Sequence, residues 1–365
     1  MSKVRILSLD GGGIRGVIPA VVLEYIEKKL IEKTENPNAR IADYFDFVAG
    51  TSTGGILSAF YLTPNQKAGE NGPTTKYTAS QAIEFYSKYG YDIFNKSKKW
   101  GGLARQLFNA AIYNPKNLEG ILMTEFQNLK MRDLLKPCII TTYNMQTKSS
   151  FFFNSIEDEV DREFYVRDVL RSTSAAPTYF PPAFIQNQKN LSSEMINIDG
   201  GVFANNPSLC AYAECRDTHL KLLKRETSDA ENRNPQGKDM IMISIGTGGG
   251  RFQLPDTKKS NKWGLLKWAQ NIPDIMMDGS IDTVDYQMKQ LFDTVRDPDD
   301  GKTNYKRIDF PPKMKAIYSG NMADASKENI ENLKTAGQIA LEKANEVEEG
   351  ERTLDEMIDL LIANS

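Results

Sequence analysis

Phe47-Val48-Ala49-Gly50-Thr51-Ser52-Thr53-Gly54-Gly55 is an apolar run that passes directly into Gly-x-Ser-x-Gly. A strand that turns sharply into a helix at such a serine holds it in a strained backbone conformation with Oγ exposed. Gly50 and Gly54 let the backbone pass without Cβ clashes, and Thr51 and Thr53 complete the elbow. The helix start behind Ser52 offers free N–H groups and a positive dipole end to a developing oxyanion. The chemistry implied is nucleophilic attack on an acyl carbon. The same string can also be a plain Gly/Ser/Thr loop that only starts a helix. A strand pattern before it and a helix pattern after it favour the nucleophile.

Asp10-Gly11-Gly12-Gly13-Ile14-Arg15-Gly16 follows another β-type run. Its glycines satisfy G-x-G-x-x-G, but a dinucleotide site needs an acidic residue closing the second strand. Here that strand closes with Gly50-Thr51-Ser52, and no Gly-Lys-Ser/Thr follows the loop. The alternative use is a concave nest of N–H groups from Gly11, Gly12 and Gly13 that receives an oxyanion. Arg15 is either an anion contact beside that nest or a surface charge, and Gly16 suits close helix–sheet packing.

A serine nucleophile needs a proton acceptor. The chain has one histidine, His219. The order Ser52, Asp199, His219 matches the chain order of an α/β-hydrolase triad. Yet 207–224 reads as one helix, which places His219 roughly 18 Å from its start at ~1.5 Å per residue. Asp199 ends a short apolar run and precedes Gly200 and Gly201, a carboxylate presented at a sheet edge. Partial desolvation would raise its pKa to a useful value for a general base. On its own, Asp-Gly-Gly is also a simple turn.

The elements that must position these groups alternate. Strand patterns cover 4–9, 43–49, 137–143, 149–154, 195–198 and 240–245; helical spacing covers 16–33, 54–62, 80–94, 166–174, 207–224 and the chain from 325. Ser326 or Asp324 caps the last of these. Stretches 64–77 and 227–238 read as loops. The rhythm is that of an α/β sheet. We expect one α/β domain over 1–250, with a more helical extension over 251–365 packed on it.

The three motifs together resemble those of the patatin-like phospholipases. That family carries Asp-Gly-Gly-Gly-x-Arg-Gly, then Gly-x-Ser-x-Gly, then Asp-Gly-Gly or Asp-Gly-Ala, in this order and at similar spacing. Ala175-Ala176-Pro177-Thr178-Tyr179-Phe180 and Asp324-Ala325-Ser326-Lys327-Glu328-Asn329 also look like family segments. The resemblance implies a three-layer α/β/α sandwich with a mainly parallel central sheet. It implies a Ser–Asp dyad without histidine, at Ser52 and Asp199, working through an acyl-enzyme. It places the oxyanion hole at Gly11 to Gly13 with Arg15 nearby, needs no metal or cofactor, and makes the substrates acyl esters of phospholipids, lysolipids or galactolipids. Some bacterial relatives are switched on by cyclic nucleotides, which makes a small-molecule activator one expectation. The other readings are a nucleotide-binding module using the glycine loop, and a catalytically silent storage or scaffold protein of the same fold.

Composition bounds the setting. Of 365 residues 40% are hydrophobic and the formal charge is −3, so no long-range field draws the chain to a nucleic-acid polymer or an anionic bilayer. Membrane contact must then be local and apolar. Trp263, Leu265, Leu266, Trp268, Ile272, Ile275, Met276 and Met277, beside Lys258, Lys259, Lys262 and Lys267, form the one stretch that suits it. A helix packed on the core would have the same pattern. The charged start lacks a secretory apolar region, and three cysteines at non-metal spacing suit a reducing compartment. These features point to a cytoplasmic protein that is peripheral on the membrane when active.

Overall fold

Eight strands form one sheet: β1 (Val4–Leu9), β2 (Phe47–Gly50), β3 (Cys138–Asn144), β4 (Ser149–Asn154), β5 (Ala183–Gln186), β6 (Glu194–Asp199), β7 (Met240–Ile245) and β8 (Tyr305–Ile308). The computed structural model describes residues 3–65, 74–94, 111–156, 162–224, 233–249 and 264–365, with the backbone alone at 265–267, 269–271 and 273–274. Strands β3, β2, β1, β7 and β8 run parallel in that order. β6 and β4 are antiparallel to β3, and β5 is antiparallel to β6.

The largely apolar character of β1, β2 and β7 is explained by burial on both faces, as parallel sheets require. In β1, Leu7 and Leu9 point into one core, under the helices Val17–Thr34, Thr53–Leu62, Ala79–Ile93, Lys327–Ala344 and Leu354–Ala363. Val4 and Ile6 point into a second core, with Ala211 and Cys215 of the helix Ser208–Asp217 and Met288 and Phe292 of the helix Leu265–Asp293. The result is three layers, helix, sheet, helix. Segments after 250 join both cores, and β8 extends the sheet itself.

One detail of pairing decides where the chemistry can sit. β4 covers one edge of β3 from Ile139 to Asn144. β2 and β6 must therefore share the other edge, β2 along Cys138 to Ile140 and β6 along Thr142 to Asn144. They run toward each other, so the residue after β2 and the last residue of β6 meet head-on over Thr141. Those residues belong to the Ser52 elbow and Asp199.

The structure differs from the sequence reading in a few elements. The 207–224 helix is broken into Ser208–Asp217 and Leu220–Lys224, with Thr218 extended between them. β5, β8 and the helix Pro115–Phe126 have no counterpart in the sequence reading. In β8 the pattern is hidden because Lys306 and Arg307 are buried as ion pairs, with Glu351 and with Asp10 and Asp309. Ser326 is the cap of the helix Lys327–Ala344, accepting from Asn329 N–H.

Candidate active site

The elbow is held by contacts on every side. Ser52 takes φ 53° and ψ −120°, a conformation disfavoured for any residue with a Cβ. A methyl at Gly54 would lie 2.1 Å from the Leu9 carbonyl, and one at Gly50 would lie 2.5 Å from the Gly54 carbonyl. The helix Thr53–Leu62 therefore packs so tightly on the ends of β1 and β2 that glycine alone fits at both places. Ser52 N–H donates to Thr173 Oγ1 at 2.8 Å. Thr51 Oγ1 donates to the Ala204 carbonyl at 2.7 Å and sits 2.8 Å from Thr141 Oγ1. The Thr53 hydroxyl bonds to Tyr86.

Asp199 reaches the same place from β6. Its N–H donates to the Ala175 carbonyl at 3.0 Å, which gives the Ala-Ala-Pro segment a physical task. Its Oδ1 accepts from Gly201 N–H at 2.7 Å, and a methyl at Gly200 would lie 2.0 Å from Thr141 Oγ1. The carboxyl is only 1% exposed. Burial pushes its pKa from 3.8 up to about 7, held back by the Gly201 N–H and the Ser52 hydroxyl. No charged group is among these causes. Ser52 and Asp199 line the same pocket, and Asp199 Oδ2 has no hydrogen-bond partner among the described residues.

The glycine loop closes the site. A methyl at Gly11 would be 3.2 Å from Ser52 Cβ, which puts the loop against the serine. Gly11 N–H is taken by the Asn205 carbonyl at 3.0 Å, and its own carbonyl accepts from Thr247 Oγ1 at 2.7 Å and Asn205 Nδ2 at 3.3 Å. Arg15 is buried, with Nε 3.4 Å from the Gly12 carbonyl, so it braces the loop from behind. The Gly11 and Gly12 carbonyls are thus engaged while the N–H groups of Gly12 and Gly13 have no partner among the described residues. Gly13, at φ +60°, lines the pocket beside Ser52. Asp10 is anchored outside the pocket: Arg307 grips both its oxygens, at 2.9 and 2.6 Å, and also holds Ser244 and Asp309. Even so, burial raises the Asp10 carboxyl to about 6.

Ser52, Asp199, Thr53 and Gly13 form the polar end of one pocket. Its walls are Ile14, Ile56, Phe85, Ile93, Leu118, Phe180, Met277 and Met322 among others, an apolar lining with a few convergent polar groups. His219 is exposed at the helix break and is not part of this lining. Sequence reading missed Thr173, Asn205, Thr247 and Arg307. The only signal was indirect: Gly246-Thr247-Gly248 directly follows β7, and Asn205-Asn206-Pro207 follows the short turn of helix Gly201–Ala204 after β6.

Comparison with known proteins identifies the family. Residues 7–211 match the family model described as patatin-like phospholipase. The chain is 34% identical over 359 residues to patatin-like protein 2 of Oryza sativa subsp. indica, covering 94% of this chain and 85% of the relative. It is 32% identical over 356 residues to patatin-like protein 1 of Arabidopsis thaliana, covering 93% and 82%. It is 32% identical over 349 residues to patatin-17 of Solanum cardiophyllum, covering 93% and 84%. With an elbow serine, a strand-end aspartate and a glycine loop on one apolar pocket, a family model matched over residues 7–211 and relatives matched over more than four-fifths of their length, the chain belongs to the patatin-like phospholipase family.

Proposed function

We propose that this chain hydrolyses fatty-acyl esters of phospholipids or lysolipids through Ser52 and Asp199. The observation that carries the reading is a buried carboxyl and a strained serine together at the polar end of one apolar pocket. Ser52 Oγ attacks the ester carbon as its proton passes to Asp199. The negative oxygen is received by the N–H groups of Gly12 and Gly13 and by the positive end of the helix Thr53–Leu62. Asp199 gives the proton to the leaving alcohol, and the acyl group stays on Ser52. Water then attacks the acyl-enzyme, Asp199 takes its proton and returns it to Ser52 Oγ, and the fatty acid leaves. Gly11 and Arg15 position the loop in this scheme, since the Gly11 N–H is already engaged.

The apolar walls suit a fatty-acyl chain, and the contact with a lipid surface is part of the proposal. Trp268, Ile272, Ile275 and Met276 are exposed, at helical spacing that groups them on one side of the helix Leu265–Asp293. The next residue, Met277, is buried and lines the pocket. Trp263 and the lysines at 258, 259 and 262 lie outside the described residues. Among the described residues no helix is long and apolar enough to cross a membrane, so this would be a surface contact.

The test is to incubate the pure protein with mixed membrane lipids and identify released fatty acids by mass spectrometry. Wild type should release them, and Ser52→Ala should fall by several orders of magnitude, as loss of a serine nucleophile does elsewhere. Equal release by both would refute the assignment of Ser52.

A further inference from the structure

Asn205 is only 1% exposed and touches both glycine motifs at once. Its amide oxygen lies 2.2 Å from where a methyl on Gly11 would sit, a point only 3.2 Å from Ser52 Cβ. The same oxygen is 2.9 Å from the methyl position of Gly201, while Asp199 Oδ1 is 3.1 Å from it. The side chain is therefore wedged between the glycine loop and the turn after the aspartate, beside both reacting groups. Only glycine at positions 11 and 201 leaves room for it.

Its bonds have the same direction. The Asn205 carbonyl accepts from Gly11 N–H at 3.0 Å, and Nδ2 donates to the Gly11 carbonyl at 3.3 Å. The preceding residue, Ala204, accepts from Thr51 Oγ1, next to Ser52. Asn205 N–H donates to Ser280 Oγ, at 3.2 Å, on the helix that also carries Met277. The amide oxygen has no hydrogen-bond partner among the described residues, which carries a desolvation penalty at a buried site. A group kept there at that penalty, with a shape matched to two glycines, fits a device that sets distances.

We propose that Asn205 is a positioning residue that locks the oxyanion loop to the aspartate turn, so that the Gly12 and Gly13 donors and Asp199 keep one fixed geometry around Ser52. The proposal rests on the hydrolase reading above. The segment from Asp199 to Asn205 then works as a yoke, with the base at one end and the loop clamp at the other. Without the clamp the pocket would still bind an ester, but the oxygen of the tetrahedral intermediate would be poorly received.

Two variants test it, each checked first for native circular dichroism and melting temperature. Asn205→Ala removes the wedge and should lower kcat for a soluble short-chain ester on the order of 100-fold, the scale of a 1 Å misplacement. KM should stay within about threefold, and fluorophosphonate labelling of Ser52 should slow in parallel, since the phosphonyl oxygen uses the same donors. Asn205→Asp keeps the shape but sets a second carboxylate beside Asp199. Like charge should move the acid limb of kcat/KM up by about one pH unit or more. A residue that only supports the fold from a distance would not shift that limb. Wild-type kcat in folded Asn205→Ala, or an unshifted limb in folded Asn205→Asp, would overturn the proposal. Wild type that neither hydrolyses the ester nor is labelled at Ser52 would instead overturn the hydrolase reading.

Discussion

Asp199 is a carboxyl whose charge is opposed by its own surroundings, and this has opposite consequences for activity and for stability. Its pKa is raised to about 7 by burial. As the proposed base it would work only when ionised, so kcat/KM should rise with pH through about 7. For stability the sign is reversed. The folded chain keeps this proton up to about pH 7, whereas the unfolded chain releases it near 3.8. Between those values the native state binds more protons, so stability falls as pH rises and the full penalty is present above 7. Asn at this position has no charge to bury. Asp199→Asn should be inactive yet more stable than wild type at pH 8, by roughly 2–4 kcal/mol, with the gain vanishing toward pH 4. Urea melts at pH 4, 6 and 8 check this; a variant less stable than wild type at pH 8 would show that the carboxylate is a structural asset.

At the scale of elements, legibility followed local physics. The elbow was readable because its glycines answer to contacts within a strand–turn–helix unit, such as Gly50 against Gly54. The shared edge of β3, which brings Ser52 to Asp199, was not readable, since pairing of residues 138–144 with two separate strands leaves no local trace. β8 was hidden because buried Lys306 and Arg307 gain partners from distant segments. The helix Leu265–Asp293 shows a mixture: its C-terminal half is core, through Met288 and Phe292, while Trp268, at 41% exposure, and Met276 face solvent. If that exposed side docks on lipid, replacing Trp268, Ile272 and Met276 by serine should cut liposome hydrolysis by about tenfold or more, since each buried side chain is worth on the order of 1.5–3 kcal/mol. Hydrolysis of a soluble short-chain ester should remain within about twofold. A parallel fall in both, with a lower melting temperature, would assign these residues to packing instead.

Over the whole molecule, four segments far apart in sequence converge on one sheet edge: the glycine loop after β1, the elbow after β2, the aspartate ending β6 and the Thr247 turn after β7. Open α/β sheets bind ligands beyond the carboxyl ends of their parallel strands, and this site obeys that rule except for Asp199, which arrives on an antiparallel strand. His219, which chain order alone would admit as a triad member, is exposed at a helix break and does not line the pocket that holds Ser52 and Asp199. The central claim is that acyl transfer passes through Ser52. The direct measurement is rapid acid quench of the enzyme during turnover of a long-chain ester, followed by peptide mass spectrometry. The account predicts a mass increase equal to the acyl group on the peptide containing Ser52, present in wild type and in His219→Ala and absent in Ser52→Ala. An acyl adduct on another residue, or turnover that persists in Ser52→Ala, would contradict it.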